Sequence, residues 1–357
     1  MDKINNLIDT SNFKIYKNDI QILLDIHKMH LLNINNKKIK INNNNIKKIK
    51  NSIKLINTIN KTGLINLIID CIYLINNIHY DYLKNININL FNKHFENNYK
   101  NIITQLKEDD LYISKKIFSK DQCNKIINIV NNKKYYNKNN KITKKLNILE
   151  NNNNIWWYNH PNEIYELDFI QDFISNKYLL QILQDYLGTE PIFFDSNFWA
   201  SYPGHVENTE RFHQDYDDTK FLKLFIYIND VGDNNGPHTY IKKSLKNIVD
   251  TDILKKYKYT PSKRLDENVF TKYVKNDIIN IVGEEGTLII ENTKGFHKGT
   301  NVKQGKRFLL QFLFGTSAMY YYQYQGYQKI LLNKNKSSIL YKAKETYPYI
   351  YQNFIFE

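Results

Sequence analysis

The sequence has almost no cysteine and no long apolar run. Its two cysteines, Cys71 and Cys123, lie far apart and form no CxxC pair. This excludes a disulfide framework or a zinc knuckle and predicts buried or unreactive thiols. No uninterrupted apolar segment reaches about 18 residues, and the opening MDKINNLIDTSNF lacks the apolar core of a signal peptide. We therefore expect no membrane span and a cytoplasmic location.

Arginine is also scarce. Of the 50 basic residues only three are arginine, at positions 211, 264 and 307, and the formal net charge is +14. Lysine, asparagine, isoleucine and tyrosine are favoured together by an A+T-rich coding sequence, so we interpret the charge as compositional drift. Charge alone does not identify a nucleic-acid-binding protein. We do not expect a nucleic-acid partner.

The pattern of apolar and polar residues divides the chain into two parts. At 357 residues and 42% hydrophobic, it is long enough for one large or two ordinary domains. In residues 1–104 isoleucine and leucine recur every three or four positions among asparagine and lysine, which predicts a helical region of unknown role. His27 and His30 share a helical face there. No acidic or cysteine partner accompanies them at ligand spacing, so we expect surface histidines.

From residue 105 onward the pattern predicts a mainly helical segment followed by a series of strands. LYISKKIF reads as a strand, Ser119 as an N-cap, and the following residues as a helix with apolar positions at Ile126, Ile127 and Val130. We expect residues 137–154, NKNNKITKKLNILENNNN, to be a polar loop. A helical period then ends at Gly188. From about residue 190 to 318 the period becomes two, which predicts a β domain.

A His-x-Asp pair stands just before one of these strands, in RFHQDYDDTKFLKLFIYIND. His213 and Asp215 are two residues apart, so on extended backbone their side chains point the same way and can bind one metal. The candidate third ligand is His297, between the strand-like GTLII and RFLLQFLF. Two histidines and a carboxylate form the facial triad of non-haem Fe(II) oxygenases, which leaves coordination positions open.

Arg307 follows His297 by ten residues and begins the next predicted strand. Arginine can hold a carboxylate through two parallel hydrogen bonds, which lysine cannot do. In a chain so poor in arginine, we interpret this position as part of the same site. A surface arginine beside a buried histidine is the alternative for each residue taken alone.

The order of these motifs resembles the phytanoyl-CoA dioxygenase branch of the Fe(II)/2-oxoglutarate-dependent oxygenases. The resemblance covers about residues 105–318 and includes the entry YLGTEPIF and the loop DVGDNNGPHTYI. His297 lies 82 residues beyond Asp215, a separation that suits this branch. Two features differ from other members. Lys243, Ser244 and Leu245 stand where many relatives carry Gly-Ser-His. The nucleic-acid demethylases have a second arginine in this motif, and it has no counterpart after Arg307 here.

The resemblance implies an α+β protein with a double-stranded β-helix, a cupin-like jelly-roll core at about residues 190–318, flanked by helices and preceded by the helical region. It implies a dioxygenase that uses Fe(II), 2-oxoglutarate and O2 to hydroxylate a small-molecule or acyl-type substrate, releasing succinate and CO2. The metal would be held by His213, Asp215 and His297, and the 2-oxoglutarate by Arg307. Residues 319–357, rich in tyrosine, would pack on the barrel.

Weaker candidates surround this site. The alternation in FLKLFIYI predicts that Lys223 and Tyr227 point into the barrel, near 2-oxoglutarate, while the aliphatic face packs on helices. A lysine with its head in solvent is the alternative. Asn197 and Ser201 are further candidates for 2-oxoglutarate binding. Trp199 and His238 are candidates for lining the substrate pocket.

Two other functions fit parts of the sequence. A catalytically inactive jelly-roll scaffold would present the basic helical region to an acidic partner, although intact ligand residues argue against it. A zinc-dependent hydrolytic cupin would have no use for Arg307. The sequence does not identify the substrate or the oligomeric state.

Overall fold

The structure is a computed structural model that describes residues 2–36, 62–76, 91–137, 141–151, 153–204, 210–247, 263–317, 329–336 and 338–357. The α-helices in these ranges are α1 (Asp2–Asp9), α2 (Lys17–Asn36), α3 (Thr62–Asn76), α4 (Asn92–Asp109), α5 (Lys120–Val130), α6 (Asp168–Ile174), α7 (Lys177–Leu187), α8 (Ser244–Asn247), α9 (Glu267–Val274) and α10 (Ile339–Thr346). None of them combines the length and the apolar character needed to cross a bilayer.

The strands form one large and two small sheets. They are β1 (Leu111–Lys116), β2 (Lys133–Asn137), β3 (Ile142–Leu146), β4 (Ile155–Asn159), β5 (Ile192–Ser201), β6 (Phe221–Tyr227), β7 (His238–Ile241), β8 (Ile278–Ile281), β9 (Thr287–Glu291), β10 (His297–Gly299), β11 (Arg307–Gly315), β12 (Ile330–Leu332) and β13 (Phe354–Phe356). The large sheet has eight antiparallel strands in the order β1-β9-β6-β11-β5-β4-β2-β3, and a second antiparallel sheet has the order β10-β7-β8. The predicted combination of helices with antiparallel sheets is confirmed.

The main hydrophobic core lies between the large sheet and the helices. The aliphatic face of β6, formed by Leu222, Leu224 and Ile226, belongs to the same buried cluster as residues of α4 to α7 and α10. Lys223 and Phe225, on the other face, line a cavity. The alternation in the sequence therefore predicts correctly which side chains of β6 face the helices and which face the cavity.

Local signals set several element boundaries as predicted. Ser119 caps α5: its hydroxyl accepts from the Gln122 backbone N–H, and the Gln122 side chain accepts from the Ser119 N–H, which is a capping box. Helix α7 ends at Gly188, whose φ of 85° is a left-handed conformation that glycine adopts without steric cost. The helical pattern before it is broken into α6 and α7, because Asn176 caps a new helix start.

Two predictions from the sequence were wrong. Residues 137–154 are not simply a polar loop, because Ile142–Leu146 forms the edge strand β3 and pairs with β2. Its side chains are mostly exposed, so backbone pairing forms the strand without any apolar pattern to reveal it. His27 is not on the surface: it is fully buried, and its ring meets Tyr349 edge-on at 6.4 Å. The side chain of His30 lies outside the described residues.

The N-terminal helices have a core of their own. Residues of α1, α2 and α3, among them Ile8, Leu24 and Ile68, form a separate buried cluster. Both cysteines are buried free thiols, Cys71 in this cluster and Cys123 in the main core, as predicted. The C-terminal segment lies on the helices that cover the large sheet, where the Leu340 N–H of α10 donates to the Gln171 side chain of α6 at 3.0 Å.

Candidate active site

Two segments distant in sequence pair to build the site. His213 and His297 exchange two backbone hydrogen bonds of 3.0 Å, and the Asp215 N–H donates to the Thr293 carbonyl at 2.8 Å. Between them, the Gln214 side chain turns the other way and donates to a backbone carbonyl of the opposite segment at 2.5 Å. Extended backbone at this point therefore puts His213 and Asp215 on one side, and the pairing brings His297 beside them.

A buried lysine strengthens the link between these segments. Lys294 is 2% exposed, and its ammonium donates to the Thr219 carbonyl at 3.0 Å. Burial lowers the pKa of Lys294 to about 8, although the nearby Asp218 carboxylate raises it. The charged form of Lys294 is therefore less stable in the folded protein than in the unfolded chain.

This burial predicts a pH-dependent stability difference. Replacing Lys294 by methionine removes the cost of burying the charge, so we expect the unfolding free energy at pH 7 to rise by up to about 3 kcal/mol. The cost is present below pH 8, where both states are protonated, and is lost as pH rises from the folded pKa of about 8 to the unfolded value of 10.5. Urea unfolding of both proteins at several pH values measures it. A difference that stays constant across this range would contradict the prediction.

The three predicted ligand residues converge. One ligand atom from each of His213, Asp215 and His297 lies within 4.8 Å of the other two, and this is the one such group found in the described part of the chain. His297 Nε2 is 3.3 Å from Asp215 Oδ2, and His213 Nε2 is 3.9 Å from Asp215 Oδ1. The two imidazole centroids are 4.3 Å apart. Two nitrogens and a carboxylate thus face a common point.

Backbone carbonyls orient both imidazoles. His213 Nδ1 lies 3.0 Å from the Arg211 carbonyl oxygen, and His297 Nδ1 lies 3.0 Å from the Gly295 carbonyl oxygen. A carbonyl oxygen only accepts, so each Nδ1 carries a proton and each Nε2 is the nitrogen left to face the common point. Such contacts commonly fix the tautomer of metal-binding histidines.

His213 and Asp215 favour the protonation states that a divalent cation needs, whereas His297 holds a proton more firmly: burial opposes its charge, but the Asp215 carboxylate raises the pKa of His297. Burial lowers the pKa of His213 well below its usual value, and the neighbouring His297 lowers it further. Burial opposes ionisation of Asp215, but the Lys223 ammonium and His297 hold the pKa of that carboxyl well below its usual range. A neutral imidazole and an ionised carboxylate are the ligand forms that bind metal.

Lys223 faces the site rather than solvent. Its ammonium lies 2.6 Å from Asp215 Oδ2 and 2.8 Å from Asp217 Oδ2, and the residue is 8% exposed. Although burial opposes its charge, Asp215 and Asp217 raise the pKa of Lys223 above its usual value. The alternative of a lysine head in solvent is therefore wrong, because the carboxylates of Asp215 and Asp217 hold the head inside.

This ion pair predicts a stability effect that metal partly reverses. Replacing Lys223 by methionine removes the ammonium that Asp215 and Asp217 share, and we expect the metal-free protein to lose about 3–5 kcal/mol of unfolding free energy. Because a divalent cation also neutralises Asp215, Co(II) should stabilise the variant more than the parent. Denaturant unfolding with and without Co(II) tests this, with Lys223→Arg as the charge-conserving control. Equal stability of parent and methionine variant without metal would contradict it.

Arg307 is buried at the start of β11 and points into the same cavity. It is 5% exposed, and its guanidinium donates to the Gly236 carbonyl and, at 3.2 Å, to the Ser201 hydroxyl. Its Nε is buried without a hydrogen-bond partner. A Cβ added to Gly299 would lie 3.0 Å from Arg307 Nη2, so the absence of a side chain there gives the guanidinium its room.

The cavity that these residues share has a volume of about 430 Å³ and lies between the two antiparallel sheets. That size is within the range of small-molecule sites. Among the weaker candidates, Lys223, Asn197, Ser201, Trp199 and His238 all line it.

Tyr227 is placed differently. It is fully buried, and its hydroxyl donates to the Ile281 carbonyl at 2.7 Å and accepts from the His238 N–H at 2.9 Å. It is not among the residues that line the cavity. Tyr227 therefore supports the backbone at the start of β7.

Sequence reasoning missed the carboxylate partner of His238 and several residues of the cavity wall. His238 Nε2 lies 2.8 Å from the carboxylate of Glu291, which is fully buried, and the His238 ring stacks on His297 at 5.7 Å. Gln311 and Asn159 also line the cavity. Gln311 could have been found, since it is four residues from Arg307 on one strand and shares its face. Glu291 and Asn159 required knowledge of strand order.

No protein-family model matches the sequence, and no curated protein matches it. Among solved structures, the fold is similar to the epimerase SnoN in complex with Fe3+, alpha ketoglutarate and nogalamycin RO, at 8% identity and a TM-score of 0.43, covering 62% of this chain and 84% of that one. It is also similar to HygX from Streptomyces hygroscopicus with nickel and 2-oxoglutarate bound, at 10% identity and a TM-score of 0.43, covering 60% and 86%. The alpha ketoglutarate-dependent carbocyclase SnoK from nogalamycin biosynthesis matches at 11% identity and a TM-score of 0.43, covering 62% and 85%. At this low similarity, the activity of the chain has to be argued from its own residues.

Proposed function

We propose that the protein is an Fe(II)- and 2-oxoglutarate-dependent dioxygenase, related to the phytanoyl-CoA dioxygenase branch, that hydroxylates a C–H bond of a small molecule. The observation that carries the proposal is the convergence of His213, Asp215 and His297 in a cavity that also contains the buried Arg307. A metal-binding triad and a guanidinium suited to a carboxylate in one cavity are what such a reaction requires.

The residues fit the two groups they would hold. For the metal, both Nε2 atoms and an ionised carboxylate face one point, and backbone carbonyls fix the imidazoles. For the dicarboxylate, Arg307 has a buried Nε without a hydrogen-bond partner, and the rest of its guanidinium donates to a backbone carbonyl and a hydroxyl. A buried guanidinium left in this state favours an anionic ligand.

Each residue has a definite task in this proposal. His213, Asp215 and His297 hold the iron on one side only, Arg307 anchors the far carboxylate of 2-oxoglutarate, and Lys223 keeps Asp215 ionised. Bound there, iron together with 2-oxoglutarate and O2 supplies the oxidation of a C–H bond, yielding succinate, CO2 and a hydroxylated product. The sheet walls keep bulk water away and orient the substrate.

The proposal also assigns the parts of the chain. Residues 105–318 form the catalytic unit, with a double-stranded β-helix at about 190–318. Residues 319–357 pack on it, and residues 1–104 remain a helical region without an assigned role. Two facing antiparallel sheets with the cavity between them support this division.

Anaerobic titration of the Fe(II)-reconstituted protein with 2-oxoglutarate tests the function. We expect the weak visible charge-transfer band of an Fe(II)–2-oxoglutarate chelate, which should be absent from a His213→Ala, Asp215→Ala double variant. His94→Gln, on α4 and outside the cavity, is the control and should keep the band. Exposure to O2 should then release succinate.

A protein that binds neither iron nor 2-oxoglutarate would overturn the proposal in favour of an inactive scaffold. Zinc-dependent hydrolysis without any need for O2 would favour the hydrolytic alternative. Circular dichroism of the same samples shows whether the protein is folded, so that neither outcome is confused with unfolding.

A further inference from the structure

The inner face of the large sheet carries a row of carboxamides across three neighbouring strands. Asn159 of β4 is the register partner of Asn197 of β5, which is the partner of Gln311 of β11. All three line the cavity. Residues in register on one face are the closest side-chain neighbours in a sheet, so these amides form one continuous polar strip, the carboxamide row.

A pair of indoles runs parallel to the carboxamide row, one step nearer to Arg307. Trp157 of β4 and Trp199 of β5 are register partners, and their rings stack with a centroid distance of 5.6 Å and an interplanar angle of 13°. Both line the cavity. Trp156, the residue before Trp157, faces the opposite side and is 3% exposed in the main core.

The indoles determine which way the amides point. Trp157 Nε1 donates to Asn197 Oδ1 at 2.7 Å, and Trp199 Nε1 donates to Gln311 Oε1 at 3.4 Å. Because an indole N–H can only donate, the amide oxygens are turned toward the tryptophans and the amide nitrogens away from them. The Asn197 nitrogen donates to the Asp195 carboxylate at 3.4 Å, and Asp195 also lines the cavity. The carboxamide row and this carboxylate therefore present both N–H donors and an oxygen acceptor, a combination that suits hydroxyl groups.

The carboxamide row is too far from Arg307 to serve the co-substrate. Gln311 is four residues beyond Arg307 on β11, which is about 13 Å at about 3.3 Å per residue. A five-carbon dicarboxylate anchored at Arg307 has only four C–C bonds of about 1.5 Å each, less than half of this backbone separation. A second molecule must use these donors.

An acyl chain is a poor match for this wall. Hydrocarbon lying on the carboxamide row would remove the amide N–H groups from water without giving them acceptors, which is unfavourable. A ring bearing several hydroxyl groups supplies the acceptors. Its C–H face can also lie against an indole, whose π face carries the negative part of the quadrupole.

We propose that the substrate of this cavity is a polyhydroxylated ring, a sugar or a cyclitol, held by the carboxamide row and the Trp157–Trp199 stack. The role of the ring as a substrate rests on the proposed oxygenase function. Its binding rests only on the residues of the cavity wall. It narrows the substrate away from acyl chains, which the sequence had left open.

Saturation-transfer NMR with the full-length, Fe(II)-loaded protein under anaerobic conditions tests the assignment. The probes are methyl β-D-glucopyranoside and methyl β-D-galactopyranoside for sugars and myo-inositol for cyclitols, with cyclohexylmethanol and octanoate as apolar comparators. We expect saturation transfer to at least one polyhydroxylated probe, at least tenfold weaker binding in Gln311→Leu and Asn159→Leu, and unchanged binding in the control Trp156→Phe. Leucine keeps the side-chain volume and removes only the amide.

The outcomes are distinct. Binding of octanoate or cyclohexylmethanol, with none of the three hydroxylated probes bound at the same concentration, would overturn the assignment. Retained binding in both leucine variants would also overturn it. The same samples are titrated with 2-oxoglutarate: a chelate band without probe binding removes the substrate class alone, whereas probe binding without a band supports the ligand class and removes the oxygenase function.

Discussion

Asp215→Asn is expected to lower the affinity of the protein for Fe(II) or Co(II) by more than about 100-fold. Loss of a residue that only supports a metal ligand already costs about 10- to 100-fold, so loss of the one anionic ligand should exceed that range. Asp215 is the only carboxylate of the triad, and both other ligands are imidazoles. The asparagine keeps the size of the side chain, so the effect reports charge and ligation rather than packing.

Asp217→Asn provides a matched control. Asp217 lines the same cavity and pairs with the same ammonium, at 2.8 Å from Lys223 Nζ, but it is not part of the triad. It should lose less than about tenfold in metal affinity, the size of a local electrostatic change. Titration of each apo-protein with Co(II), followed by visible absorption, measures both constants. Equal losses in the two variants would mean that the cavity attracts cations only through its overall charge, and the triad would no longer be a specific site.

The ligand residues were predictable because they obey short-range rules. His213 and Asp215 share a face through the two-residue period of extended backbone, and the signals around Ser119 and Gly188 mark helix boundaries in the same local way. His297 was proposed as the third ligand from its place between two strand-like segments, and the resemblance to a family agreed with that choice. The structure adds what neither source contains, the backbone pairing of His213 with His297.

The cavity wall was less predictable because it depends on strand order. Trp157, Trp199 and Gln311 are distant in sequence and meet only because β4, β5 and β11 are neighbours in the large sheet. His238 and Glu291 meet because β7 and β9 belong to two different sheets that face each other. A single sequence shows which face of a strand a residue occupies, but the identity of the neighbouring strand is a long-range property.

The lysine-rich composition concealed one strand but made one arginine informative. Strand β3 was not predicted, because its side chains are mostly polar and exposed and so do not alternate between apolar and polar residues. Scarcity of arginine was informative, since drift toward lysine leaves arginine where a planar, bidentate donor is needed. Arg307 is such a position: it is buried, at the head of β11, and in the cavity.

Arg307→Lys should therefore weaken 2-oxoglutarate binding while leaving metal affinity nearly unchanged. Truncating one partner of a buried, hydrogen-bonded charge pair costs about 2–5 kcal/mol, which corresponds to about 30- to 3000-fold in the dissociation constant. Lysine keeps the charge but cannot present a planar fork or reach both Ser201 and the Gly236 carbonyl, which the guanidinium contacts. We expect the lysine variant near the lower end of the range and Arg307→Met near the upper end.

The measurement is the dependence of the Fe(II)–2-oxoglutarate charge-transfer band on 2-oxoglutarate concentration, with Co(II) affinity measured in parallel. Arg211→Lys is the matched control, because Arg211 is exposed and pairs with Asp266 at 2.9 Å outside the cavity lining. If Arg307→Lys and Arg211→Lys bind 2-oxoglutarate equally well, the buried guanidinium does not anchor the co-substrate. A loss of metal binding together with 2-oxoglutarate binding would instead assign Arg307 to the integrity of the fold, since no guanidinium contact with the triad is present to explain it.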